Sequence, residues 1–181
     1  MLRLSGSLLG GFPTMSLTPT VERRSARPYA AIRDLLPRER LAEVAPERVA
    51  AVYEWLGAHD LAPTGPPFVR YLVVDYNDGT VEVEVGVPTT SAATSGHEVQ
   101  AGTLPSGRYA IVVHRGSYAE LASTTAGLLA WGETNDAAWA MEETNRVTSW
   151  LGRIEHYVTG PADTPDESEW RTEIAIMLSG S

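Results

Sequence analysis

Residues 80–87, TVEVEVGV, constrain this chain most strongly. Val81, Val83, Val85 and Val87 fall on one side of an extended chain and Glu82 and Glu84 on the other. Side chains on a strand alternate between faces, so this pattern demands a sheet with one face in a core. Asn77, Asp78 and Gly79 precede it, and FVRYLVVDY (68–76) precedes them. A turn of this composition between two apolar runs predicts an antiparallel hairpin, which Pro88 ends.

The rest of the first half supplies what that sheet packs against. Residues 20–33 read as a strand and residues 38–45 as a polar loop, which puts Pro46 in the first turn of a helix. Val49, Val52, Tyr53 and Leu56 keep helical spacing, Gly57 or His59–Asp60 ends the run, and the proline-rich segment 62–67 is a rigid turn.

The second half repeats the order. A strand at 108–116 leads into a helix that starts at Ser117. Ser117 and Glu120 have capping-box spacing, and Tyr118, Leu121, Leu128 and Leu129 mark the buried side. Strands follow at 153–160 and 170–178. The expected fold is α+β: duplicated βαββ units with antiparallel sheets that form a ligand cleft about a pseudo-twofold axis. One domain over residues 18–181 would hold repeats at about 18–90 and 98–179. Residues 1–17 read as an extension or a misassigned start, because Gly10, Gly11 and Pro13 break their apolar run and Met15 offers a second start. A cytoplasmic protein is the expectation.

Composition excludes several chemistries. The chain has no cysteine, so it has no disulfide framework, thiolate metal site or cysteine nucleophile. Twenty-three acidic residues against 14 basic ones give a net charge of −9, which opposes direct nucleic-acid binding. No sequence stretch has the length of a membrane-spanning helix. The histidines (His59, His97, His114 and His156) show no zinc spacing, although His114 and His156 lie on strands that could be neighbours. No P-loop, dinucleotide fingerprint or GxSxG is present, so neither cofactor nor metal is expected.

In order and spacing, RPYAAIRDLLP (27–37), GPPFVRYLVVD (65–75), VEVEVGVP (81–88), LPSGRYAIVVHRGSYAEL (104–121), RIEHYVTGP (153–161) and EWRTEIAIML (169–178) resemble the GyrI-like small-molecule-binding domain. That domain is also the effector-binding part of AraC-type and MerR-type regulators. The resemblance implies a cleft that binds hydrophobic, aromatic or cationic molecules, with Glu155 as central carboxylate and Glu173 as its neighbour. Tyr71, Tyr109 and Tyr157 would form walls. No helix-turn-helix is found in the chain, so the expectation is a stand-alone sensor or sequestration protein. Two other roles stay open: a hydrolase of cyclopropane-bearing aromatic compounds that uses Glu155 or Glu173, and an inhibitor of a DNA topoisomerase. A protein partner or a homodimer is compatible with each.

The residues themselves support this with alternatives attached. Glu155 shares a strand face with Tyr157, and an inward carboxylate is costly to bury without a cation or a raised pKa. The bland alternative is an edge glutamate, or one paired with Arg70 or Arg108. Glu173 alternates against Thr172, Ile174 and Ile176, so it faces a groove or solvent; Glu82 and Glu84 fit a solvated sheet face. Tyr109, Tyr118, Tyr157 and Trp131 are the better aromatic candidates, since such rings stack on flat ligands and cations. Tyr53 and Trp55 read as packing residues. Trp131, Trp139 and Trp150 belong to a segment, 131–150, that departs from the family pattern and would cover or remodel the cleft.

Overall fold

The computed structural model describes residues 18–91 and 95–180; the segment 1–17 lies outside them. Nine strands form one antiparallel sheet: β1 (Thr20–Arg24), β2 (Arg27–Pro37), β3 (Phe68–Asp75), β4 (Thr80–Pro88), β5 (Gln100–Leu104), β6 (Gly107–Arg115), β7 (Met141–Thr144), β8 (Val147–Thr159) and β9 (Arg171–Met177). Helices α1 (Leu41–Ala58) and α2 (Leu121–Thr134) pack on it. The order is β1-β6-β9-β8-β3-β4-β2-β5, with β7 paired to β8. The expected α+β class with two βαββ runs is therefore present, as β2-α1-β3-β4 and β6-α2-β8-β9, but in a single curled sheet.

Pairing makes the pseudo-twofold explicit. At the join of the halves, Phe68 faces His156, Val69 faces Glu155 and Arg70 faces Ile154. Tyr71 lies beside Val83, and Tyr157 beside Thr172; Glu84 is opposite Arg70, and Glu173 opposite His156. Tyr29 and Tyr109 correspond on the outer strands, facing Pro88 of β4 and Met177 of β9. Under this correspondence Tyr71 is the mate of Tyr157 and Val69 the mate of Glu155, so the axis passes through the Val69–Glu155 pair. The two arms β1–β2 and β5–β6 cross. Arg24 faces Gly107 and Arg27 faces Leu104 in one unbroken register, which ties the sheet's outer strands together.

Several boundaries differ from expectation. Residues 38–45 are helical: Arg38–Arg40 form a 3-10 turn and α1 begins at Leu41, so Pro46 sits inside the helix. Their polar composition belongs to an exposed helix start, where Arg40 Nε donates to Glu43 at 2.8 Å. Val52 and Leu56 are buried as predicted, whereas Tyr53 is exposed. Ser117 caps a 3-10 turn, accepting from the Ala119 amide at 3.4 Å, before α2 starts at Leu121.

The tryptophan-rich segment closes α2 and builds the β7–β8 hairpin. Asn145 and Arg146 turn it with φ of 52° and 63°, the left-handed pair that a tight hairpin needs. Trp150 is buried and Trp131 packs on the same helix-side core. Trp139 bridges to Leu178 and lays its ring against Gly132 of α2. A methyl group at Gly132 would collide with that ring. Gly132→Ala should therefore lower stability by about 1–3 kcal/mol despite alanine's better helix propensity, read as a lower denaturant midpoint at unchanged slope.

Candidate functional site

The helices cover the outer strands: α1 packs over β2 and β4, and α2 over β6. The central pair β3–β8 lies between them, and its helix-side face carries Tyr71, Arg153, Glu155 and Tyr157. Strand alternation decides this set, because residues facing one another in an antiparallel ladder share a face.

Glu155 is 5% exposed. Both flanking tyrosines donate to its Oε2, Tyr157 from 3.0 Å and Tyr71 from 3.3 Å. A carboxylate at the pseudo-axis is thus held by two symmetry-related hydroxyls. Burial raises its pKa above the usual 4.5, against the Arg153 charge, the two hydroxyl hydrogen bonds and the His114 charge. Burial and the neighbouring carboxylate raise both phenols as well, so the tyrosines stay donors. Neither Arg70 nor Arg108 pairs with Glu155; Arg70 instead donates to Glu84 at 3.2 Å from the opposite face.

Aromatic rings surround this centre. Tyr118 meets Tyr157 edge-on with centroids 5.3 Å apart, and tilts against Trp170 at 4.7 Å. Trp131, half-buried on α2, packs against the same cluster. The acidic centre is buried, with Glu155 5% exposed. An open depression of about 670 Å³ lies elsewhere, beside Arg23, Arg24, Gly107 and Met177.

The structure separates two expected residues from the rest. Glu173 and Tyr109 lie on the other sheet face, because the β9 neighbour of Glu155 is Ile174. Glu173 accepts from Arg24 Nη1 at 2.7 Å, and His156 Nε2 is 4.0 Å away. Burial pushes its carboxyl up, but the Arg24 hydrogen bond and charge outweigh this and hold it below the usual value. Burial depresses His156 to about 4 against the pull of Glu173. On this face Tyr29 also hydrogen-bonds Glu84, and Arg70 donates to the Tyr29 hydroxyl at 3.0 Å. His114 and His156 do not meet. His114 is on the helix side, contacting Thr124 Oγ1 at 2.8 Å and the Ser117 carbonyl at 3.0 Å. The described residues contain no cluster of three or more metal-ligating side chains.

Sequence reasoning left Arg153 without a role. It is 8% exposed, and its guanidinium lies over the rings of Tyr71, at 4.6 Å, and Trp150, at 5.2 Å. Its place two residues before Glu155 was the available signal, since alternation puts both on one face.

A pseudo-twofold domain that holds a buried carboxylate among aromatic rings between two helices fits the class of small-molecule-binding domains. The chain is a member of the GyrI-like small molecule binding domain family, whose model matches residues 18–179. No curated protein matches it in sequence. Among solved structures it is similar to the EcmrR C-terminal domain, at 20% identity and a TM-score of 0.73, over 92% of this chain and 100% of that one. It is also similar to EcmrR in a DNA complex, at 19% identity and 0.74; there the match spans 92% of this chain and 59% of that one. A third similar structure is SAV2435 bound to tetraphenylphosphonium, at 13% identity and 0.59, over 91% and 95% of the two chains.

The raised pKa makes stability depend on pH. Glu155 holds its proton more tightly folded than unfolded, so its contribution is full below the unfolded value and is lost as pH rises through the folded one. His156 acts oppositely: its contribution is present above 6.5 and is lost as pH falls toward about 4. Glu155→Gln removes the first slope and keeps the second. Melting temperatures should show the variant gaining on wild type as pH rises from 4.5 to neutrality; parallel curves would contradict the assignment.

Proposed function

We propose that this protein binds aromatic organic cations at the Glu155–Tyr71–Tyr157 centre and acts as a sensor or sequestration module. The observation that carries the reading is the buried Glu155 carboxylate, fixed at the pseudo-axis by two tyrosine hydroxyls. An entering cation favours the ionised carboxyl, which its surroundings otherwise disfavour. Rings from both halves supply faces on which a flat or quaternary cation gains further attraction. The tetraphenylphosphonium bound to a structurally similar protein is a ligand of this kind.

Binding should be coupled to proton release from Glu155. Calorimetric titration with tetraphenylphosphonium in two buffers of different ionisation heat should give different apparent enthalpies near the raised pKa. Glu155→Gln should abolish that difference and weaken the cation by about tenfold or more, while a neutral compound of like shape loses much less. Equal losses for both ligands would remove Glu155 as the charge partner. Following ligand mass over time separates binding from turnover: an unchanged ligand supports the sensor reading, and conversion dependent on Glu155 replaces it with a hydrolase.

A further inference from the structure

Arg153 is the one charged side chain of this centre that binding of a simple cation does not use. Glu155 has its hydrogen bonds from Tyr71 and Tyr157, and no hydrogen bond or ion pair joins it to Arg153. The guanidinium carbon lies over the rings of Tyr71 and Trp150. An aromatic ring accepts a guanidinium's charge but not its in-plane hydrogen bonds, and Arg153 Nε and Nη1 are both buried without a partner among the described residues. Buried donors are ordinarily paired, so two on one side chain beside Glu155 mark a place for an acceptor. A carboxylate matches the in-plane fork of a guanidinium with two parallel charge-assisted hydrogen bonds.

The position is also asymmetric. The offset that makes Tyr71 the mate of Tyr157 sets Pro67 against Arg153, so the guanidinium has no counterpart in the first half. Arg153 and Glu155 sit two residues apart on one face of β8, roughly 7 Å along a strand. The helix-side face of β8 thereby carries a cation beside an anion, with a fixed direction between them.

We propose that Arg153 determines specificity by receiving an anionic acceptor on the ligand, so that the preferred ligand class is a zwitterionic aromatic compound carrying a carboxylate beside its cation. This rests on the reading of Glu155 as the cation's partner and adds the complementary half. Aromatic stacking then falls to Tyr71, Tyr157 and Trp150, with each ligand charge facing its opposite on β8.

The test uses a rhodamine with a free carboxylate and its ethyl ester, which keeps the cationic ring system and loses the anion. Dye fluorescence is titrated with wild type, Arg153→Gln, Arg153→Lys and Glu155→Gln. Wild type should bind the acid about tenfold more tightly than the ester. Arg153→Gln should erase the preference, and Arg153→Lys should keep part of it. The wild-type comparison needs no variant to fold. Equal binding of acid and ester with both weakened in Glu155→Gln overturns the role of Arg153 alone. A preference that survives in Arg153→Gln also overturns it. Failure of both dyes to bind wild type overturns this proposal together with the cation reading.

Discussion

The antiparallel pairing of β3 with β8 is the contact on which the rest of the structure depends. Among the described residues it is the only ladder that joins the two βαββ runs directly, and the pseudo-axis passes through its Val69–Glu155 pair. Once that register is set, Tyr71 and Tyr157 must sit symmetrically about Glu155, and Glu84 and Glu173 must turn to the opposite face. A slip of one residue would exchange the faces and place His156 and Ile154 among the helix-side rings. The crossing arms β1–β2 and β5–β6 reinforce the same arrangement from the outer strands, where one register continues from Thr20 opposite Ile111 to Ala31 opposite Gln100.

The two faces treat charge differently. On the helix-free face, carboxylates are neutralised at short range: Glu173 by Arg24 at 2.7 Å and Glu84 by Arg70 at 3.2 Å. These partly buried pairs link strands distant in sequence and leave little charge for a ligand. On the helix-side face Glu155 receives neutral hydroxyl donors, and the nearby Arg153 acts on it only through its field. A buried carboxyl with neutral donors keeps a raised pKa, so its charge state stays open to whatever enters the cleft. The difference in partner type, and not the number of acidic residues, makes one glutamate a functional candidate and the other a structural one.

Much of the fold was legible because it rests on short-range patterns. Alternation at 81–87, the Asn-Asp-Gly turn and the apolar spacing of Val52 and Leu56 specify elements without reference to the rest of the chain. The start of α1 was misread because Arg38, Glu39 and Arg40 look the same in an exposed helix start as in a loop. The segment 131–150 departed from the family pattern, and its hairpin was not legible because the turn uses Asn145-Arg146, without the glycine that normally announces such a turn. In the structure Trp139 packs against Gly132, and Trp150 is buried in the core.

The site divides along the same line. Strand period alone places Glu155 with Tyr157, and it equally places Arg153 with them. It cannot say which residues of other strands join that face, because register is a property of pairing. Pairing brought Tyr71 to Glu155, removed Glu173 and Tyr109 to the far face, and set Tyr29 beside Glu84. The sequence by itself determined most of the elements, their duplication and the residue types from which a cation site can be built, since these follow from local periodicity and composition; it read β1 and β2 as one strand and did not announce β5 or β7. Only the tertiary structure decided which carboxylate is buried without a counter-ion and which is locked in an ion pair, because that depends on strand register and on which neighbours the sheet's curl brings within hydrogen-bond reach.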